Sequence, residues 1–180
     1  MVAEPEPPLC VDLDGTLIAG DTLLISLGLL LRRQPWRIPE VCARVVRGRA
    51  AFKGYVASCV VPEAASLPWR APVVEFLTSE RQRGRRLILA TAADHRVADC
   101  VCQHLGLFDD TVSTLDGENR RGPAKLAALR KLLGNSEFDY MGDSFADLPL
   151  LLAARKAYLV SPPRRLLDRV SRVRAIERIF

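Results

Sequence analysis

No apolar run in this chain is long enough to cross a bilayer. The longest nearly unbroken one, Leu23 to Leu31, is about half the roughly 20 residues a membrane helix needs. A spanning protein is not expected, nor is a secretory leader. Cysteine occurs five times, an odd number, and no two cysteines have the two-residue gap of a zinc knuckle. Cys10, Cys42, Cys59, Cys100 and Cys102 therefore read as small hydrophobes of a reducing cytosol rather than as a disulfide framework. Histidine is confined to His95 and His104; with no partner pattern around them, both are expected to be structural. Internal repeats are absent.

What is present fits one domain of 180 residues, or a domain with a small insertion. Apolar residues make up 49%, enough for a core at this length, and charged residues of both signs make up 26%, which argues against wholesale disorder. Arginine far outnumbers lysine, a usage that suggests a GC-rich bacterial genome. The net charge of +5 is uneven: Ser161 to Phe180 holds six arginines against Asp168 and Glu177 and so carries +4 of it. Such a basic segment either attracts phosphate-rich partners, including anionic lipid head groups, or is a solvated helix face.

Along the chain, Glu4 to Pro8 is a proline-rich lead expected to be flexible. Buried strands are predicted over Leu9–Leu13, Leu87–Ala90, Thr111–Leu115, Phe138–Met141 and Ala157–Val160. Helical patterns fill the intervals at Val73–Arg83, Asp94–Leu105, Pro123–Leu133 and Ala146–Arg155. Asp94 is placed as an N-cap, Pro123 stands in a first turn and Gly134 just past a last one. Strands alternating with helices of this length indicate an α/β fold, a parallel sheet covered on both faces. Residues 23–68 break the rhythm with helical periodicity and no strand. They read as a helical cap over the sheet edge, the alternative being ordinary surface helices. The division expected is 1–22 with 69–160 as the core, 23–68 as the insertion and 161–180 as a basic C-terminal tail. Trp36 and Trp69 read as packing or hinge residues.

Right-handed crossovers place all strand-to-helix loops at one edge, where open parallel sheets bind ligands. Asp12, Asp14, Thr91 and Asp143 sit at strand ends, and Asp147 follows Asp143 by one helical turn. Two unit charges of like sign about 4 Å apart cost roughly 4 kcal/mol at an effective dielectric near 20. Carboxylates gathered in this way call for a hard cation, and all-oxygen ligation suits Mg²⁺. A carboxylate can attack phosphorus to form an acyl phosphate, and a second carboxyl can serve as general acid and then base. Thr91 can hydrogen-bond a phosphoryl oxygen. Arg121 and Lys125 are the candidates for a charge-neutralising cation.

Val11-Asp12-Leu13-Asp14-Gly15-Thr16-Leu17 resembles motif I of the haloacid dehalogenase-like superfamily, Leu89-Ala90-Thr91 motif II, and Gly142-Asp143-Ser144-Phe145-Ala146-Asp147 motif IV. The resemblance covers roughly Leu9 to Val160. It implies a Rossmann-like core with a small all-helical first-type (C1) cap, of phosphoserine-phosphatase-like form. It further implies Asp12 as nucleophile, Asp14 as acid/base, and Mg²⁺ held by Asp12, the Asp14 backbone carbonyl and Asp143, with Asp147 in support. In motif III the superfamily's lysine-glycine pattern falls on Arg121-Gly122, with Lys125 one turn on. Either Arg121 replaces the lysine or Lys125 reaches back.

Four further stretches resemble the phosphatase-like domain fused ahead of UbiA-type membrane prenyltransferases: Ser66-Leu67-Pro68-Trp69, Leu89 to Asp94, His104 to Asp109, and Asp116-Gly117 to Gly122. In that family an arginine-rich connector similar to Ser161–Phe180 precedes the first membrane helix. The expected activity is a Mg²⁺-dependent phosphatase acting on a small phosphorylated substrate, such as a prenyl- or sugar-linked phosphate. The alternatives are a low-turnover docking domain of a membrane prenyltransferase system and a phosphomutase. No nucleic acid partner is expected. The expected location is cytoplasmic, including the inner face of the membrane, with contact made through the basic tail.

Overall fold

The computed structural model describes residues 6–115 and 120–180; Asp116, Gly117 and the two residues after them, part of the prenyltransferase-associated resemblance, lie outside these. Strand β1 (Leu9–Val11) is buried throughout and pairs in parallel with β2 (Leu87–Asp94) on one side and β4 (Asp139–Gly142) on the other. With β3 (Asp110–Thr114), β5 (Lys156–Leu159) and β6 (Ala175–Ile179) the sheet has six strands in the order β3-β2-β1-β4-β5-β6, every pairing parallel. Successive side chains of β1 point to opposite faces and enter two separate cores. Leu9 and Val11 pack with Val73 and Leu77 of α4 (Ala71–Gln82) and Val97 and Val101 of α5 (His95–Leu105). Cys10 packs instead with Leu129 of α6 (Pro123–Leu133), Leu150 of α7 (Leu148–Ala153) and Leu166 of α8 (Arg164–Ser171). Burial on both faces explains why these strands read as apolar runs without alternation.

Local signals fall where the sequence places them. The Asp94 side chain accepts from the Arg96 amide at the start of α5, Pro123 opens α6, and Gly134 closes it at φ 62°. Between β1 and α4 lie α1 (Thr22–Arg33), α2 (Ile38–Val46) and α3 (Arg49–Cys59). Asp21 caps α1 by accepting from the amides of Leu23 and Leu24. These helices share a small core of their own, Leu30, Val41 and Val60 with Phe52 and Tyr55 against it. They meet the sheet edge where Lys53 Nζ donates to the Ala92 carbonyl (3.0 Å) and where Ala57 joins the main core.

Three expectations are corrected here. The segment after Val160 does not trail away: α8 buries Leu166 and Val170 while its arginines point outward, and β6 adds a sixth strand, with Phe180 packed on Phe76. Pro7 and Pro8 are not loose, since their carbonyls accept from Arg85 Nε and the Asp139 amide, both at 3.0 Å. Trp36 is an exposed residue rather than a packing one, whereas Trp69 stacks on His104. Because Leu166 is wholly buried, Leu166→Ala is expected to cost about 2–5 kcal/mol, read as a lowered denaturant midpoint. A change within about 0.5 kcal/mol would return the segment to the status of a surface appendage.

The N-terminal edge of the sheet is closed by a buried ion network. Arg85 meets Glu80 (2.7 Å) and the Asp139 carboxylate, and Asp139 also accepts from Arg155 (3.0 and 2.8 Å). The opposite edge is left for chemistry. All five cysteines are free, with Cys42 exposed. Among the described residues, no helix is long and apolar enough to cross a membrane.

Candidate active site

Asp12 follows β1 directly, Asp143 follows β4, and Asp147 closes a short 3-10 turn, Phe145–Asp147, ahead of α7. Parallel pairing of β1 with β4 brings these ends together, and the Asp12 amide donates to the Met141 carbonyl (3.0 Å). Close approach depends on glycine at two points. Gly15 has φ 81°, and a Cβ there would overlap the Asp143 carboxylate; a Cβ on Gly142 would lie 2.9 Å from that of Asp147.

Lys125, on the first turn of α6, projects into this cluster and is buried. Its Nζ donates to Asp12 Oδ1 (2.6 Å), Asp147 Oδ1 (3.0 Å) and the Tyr140 hydroxyl (3.1 Å), and that hydroxyl in turn donates to Asp147 Oδ1 (2.8 Å). Ser144 Oγ donates to Asp147 Oδ2 (3.1 Å), and Thr16 Oγ1 to Asp143 Oδ1 (3.4 Å). The Asp14 side chain turns away from these three acids and accepts from the Thr22 amide (2.7 Å) at the start of α1. A cavity of about 260 Å³ opens above the cluster; Asp12, Asp14, Lys125, Arg121 and Asp143 line its floor and rim, and Leu23, Val56, Ala57 and Val97 form an apolar wall.

One ammonium facing three carboxylates leaves a surplus of negative charge in a buried place. Burial first, and then the Asp147 charge, holds the Asp12 carboxyl well above the usual carboxylate range in spite of Lys125. The same two causes push Asp143 up to about 6, and burial raises Asp14. Burial alone would lower Lys125, but Asp12 and Asp147 outweigh it and keep the ammonium charged. Ligand oxygens of Asp12, Asp143 and Asp147 lie within 4.8 Å of one another. This is an all-oxygen set with uncompensated charge, which fits a hard divalent cation. A cation binds the ionised form of Asp143, so metal affinity should rise as pH passes through about 6. Titration calorimetry with Mg²⁺ is expected to show binding weaker by about tenfold at pH 5 than at pH 7.5; a flat profile would count against Asp143 as a ligand.

A family model described as haloacid dehalogenase-like hydrolase matches residues 9–152. The chain belongs to this family. Among known proteins, the haloacid dehalogenase-like chain is 36% identical over 153 residues to the uncharacterized protein y4nM of Sinorhizobium fredii; the match takes in 85% of this chain and 30% of that protein, so the chain spans under a third of its relative's length. A protein of unknown function from Bordetella pertussis Tohama I has the same fold, at TM-score 0.74 and 16% identity over 96% of this chain and 99% of its own. Phosphoserine phosphatase, solved with substrate and as a phospho-aspartyl intermediate analogue, is similar at TM-score 0.59 and 12% identity, covering 98% of this chain and 94% of its own.

Within this haloacid dehalogenase-like site, Asp12, Asp143, Asp147 and Lys125 converge. Arg121 lines the same cavity but is exposed, and Lys125 alone of the two reaches Asp12. Thr91 is fully buried, its Oγ1 accepting from the Ala93 amide (2.9 Å), which leaves its own O–H to donate. Three contributors escaped the sequence reading: Tyr140, Thr16 and Lys53. Tyr140 stands in a strand buried along its whole length, and a buried phenol needs a polar partner; that was its available signal. Lys53 comes from the insertion, where a lysine in a helix carries no signal at all.

Proposed function

We propose that the chain is a Mg²⁺-dependent phosphomonoesterase working through a phospho-aspartate on Asp12. The observation that carries this reading is the buried carboxylate of Asp12, held by Lys125 at 2.6 Å beside two further acids, with a carboxyl two residues on at Asp14. Lys125 engages Oδ1 of Asp12, so Oδ2 is the attacking oxygen. It forms a bond to phosphorus as the bond to the leaving oxygen breaks, and Asp14, whose carboxyl burial pushes up, gives that oxygen its proton. Asp14 then takes a proton from water, the hydroxyl attacks phosphorus, and the acyl phosphate bond breaks to free phosphate and restore Asp12. Thr91 donates its free O–H to a phosphoryl oxygen, and the Lys125 ammonium, its three protons shared among Asp12, Asp147 and Tyr140, contributes its charge. Asp12, Asp143, Asp147 and the Asp14 backbone carbonyl would hold Mg²⁺, which supplies charge neutralisation between the carboxylates and the phosphoryl group. The phospho-aspartyl analogue of a fold neighbour, phosphoserine phosphatase, supports this assignment.

The helical insertion at 23–68 acts in this reading as the cap, with 1–22 and 69–160 as the core and α8 and β6 completing the sheet. Leu23, Val56 and Val97 on the cavity wall suit a leaving group with an apolar part, which favours the prenyl-linked phosphate over the sugar-linked one. Association with a membrane prenyltransferase at the inner face of the membrane is the matching cellular setting. The deciding measurement is phosphate release from p-nitrophenyl phosphate with Mg²⁺, with EDTA and with Mg²⁺ restored. Expected is turnover that EDTA stops and Mg²⁺ brings back; metal-independent turnover, or none across a broad phosphoester panel, would overturn the reading.

A further inference from the structure

The apolar residues of helix α2 cover a broad arc, of which one edge is buried. Val41 faces inward to the small core of the insertion. Ile38, Cys42, Val45 and Val46 stand at i, i+4, i+7 and i+8, which on a helix is a single stripe, and all four are exposed. An amphipathic surface helix normally turns such a stripe inward. The exposure is substantial: 56% for Val45, 89% for Val46, and 70% for Trp36 in the turn just before the helix. Leu31, at the end of α1, is exposed beside that turn.

The same stretch is basic. Residues 31–48 contain Arg32, Arg33, Arg37, Arg44 and Arg47 against a single acid, Glu40. Glu40 is already occupied, accepting from the Tyr55 hydroxyl and lying 3.9 Å from Arg37. Arg32, Arg33 and Arg47 are exposed. Neither α2 nor the turn before it contributes a residue to the catalytic cavity, so the chemistry proposed above does not explain this surface.

Its occupant must accept aliphatic side chains and an indole into an apolar phase while presenting anions to the guanidinium groups. A nucleic acid meets the second demand but offers nothing to Ile38, Val45 and Val46. A second copy docked about a two-fold axis would set these arginines against themselves. A bilayer with anionic head groups meets both demands: aliphatic residues and tryptophan enter the acyl boundary while arginines remain among the phosphates. We propose that the turn at Trp36 and the outer stripe of α2 form a docking surface for an anionic lipid bilayer, separate from the arginine-rich α8.

The test is co-sedimentation of the whole chain with vesicles of phosphatidylcholine alone and with phosphatidylglycerol added. Expected is binding to the anionic vesicles only, weakening as salt is raised. Arg32→Gln/Arg33→Gln/Arg47→Gln should reduce partitioning by on the order of tenfold or more, and Trp36→Ala/Val46→Ser by on the order of tenfold. Arg164→Gln/Arg165→Gln/Arg169→Gln on α8 should change it by less than about twofold. In a Trp69→Phe background the emission of Trp36 should shift to the blue when vesicles are added. All substituted side chains except Trp69 are exposed, and unchanged circular dichroism verifies each fold. The proposal is overturned by absence of vesicle binding, or by binding that ignores Trp36 and Val46 and is lost with the α8 arginines. It is equally overturned by a concentration-dependent dimer that Val46→Ser dissociates, or by oligonucleotide binding that competes with vesicles and is indifferent to the apolar substitutions.

Discussion

Asp12→Asn is expected to lower phosphate release by at least about 10⁴-fold while leaving the circular dichroism spectrum unchanged. The amide keeps the size and shape of the carboxylate and removes only the nucleophilic charge. It also removes the buried charge that desolvation and Asp147 disfavour, so nothing in the packing argues for unfolding. A second readout is independent of turnover: brief incubation with a radiolabelled phosphoester, quenched in acid, should leave label on the wild-type chain and none on Asp12→Asn. Label persisting on the variant would move the acyl phosphate to another residue and end the proposed assignment.

The second large effect concerns Lys125. It is buried, and its ammonium is shared by Asp12, Asp147 and Tyr140. Lys125→Met leaves two buried carboxylates without their counter-charge, and breaking a buried pair in this way costs about 3–5 kcal/mol. The loss should be largest in metal-free protein and should shrink when Mg²⁺ saturates the site. kcat should fall on the order of 10²–10³-fold, as for loss of a preorganised electrostatic partner. Lys125→Arg is not expected to rescue it, because a longer forked group cannot occupy a pocket bounded by Asp12, Tyr140 and Asp147. Arg121→Ala, at the exposed rim, should leave kcat within about threefold. If Arg121→Ala proves the more damaging change, the motif III cation has been placed on the wrong residue.

The sheet and its helices were legible because burial on both faces leaves a plain mark: Leu9–Val11 and Leu87–Ala90 are apolar without a break, and caps such as Asp94, Pro123 and Gly134 punctuate the helices. β6 was not legible. Its residues Ala-Ile-Glu-Arg-Ile are almost all exposed, with only Ile176 partly buried. An edge strand is held by backbone pairing and needs no apolar alternation, so its charges dominate the pattern. The amphipathic α8 was hidden likewise, two buried residues being outvoted by the arginines around them. In the site, carboxylates at strand ends announce themselves, whereas the choice between Arg121 and Lys125 turns on where a helix begins. α6 starts at Pro123, which sets Lys125 on its first turn, pointing at Asp12. Boundaries of this kind are what local pattern resolves least well.

The hydrogen bond from the Thr22 amide to Asp14 joins two things that a drawing of the fold keeps apart. Thr22 is the first residue of α1, so the proton donor of the proposed reaction is leashed to the root of the insertion. The placement of that acid is therefore decided at the joint where the core hands over to the insertion, and a displacement of α1 that broke the contact would take away the amide that aims the carboxyl.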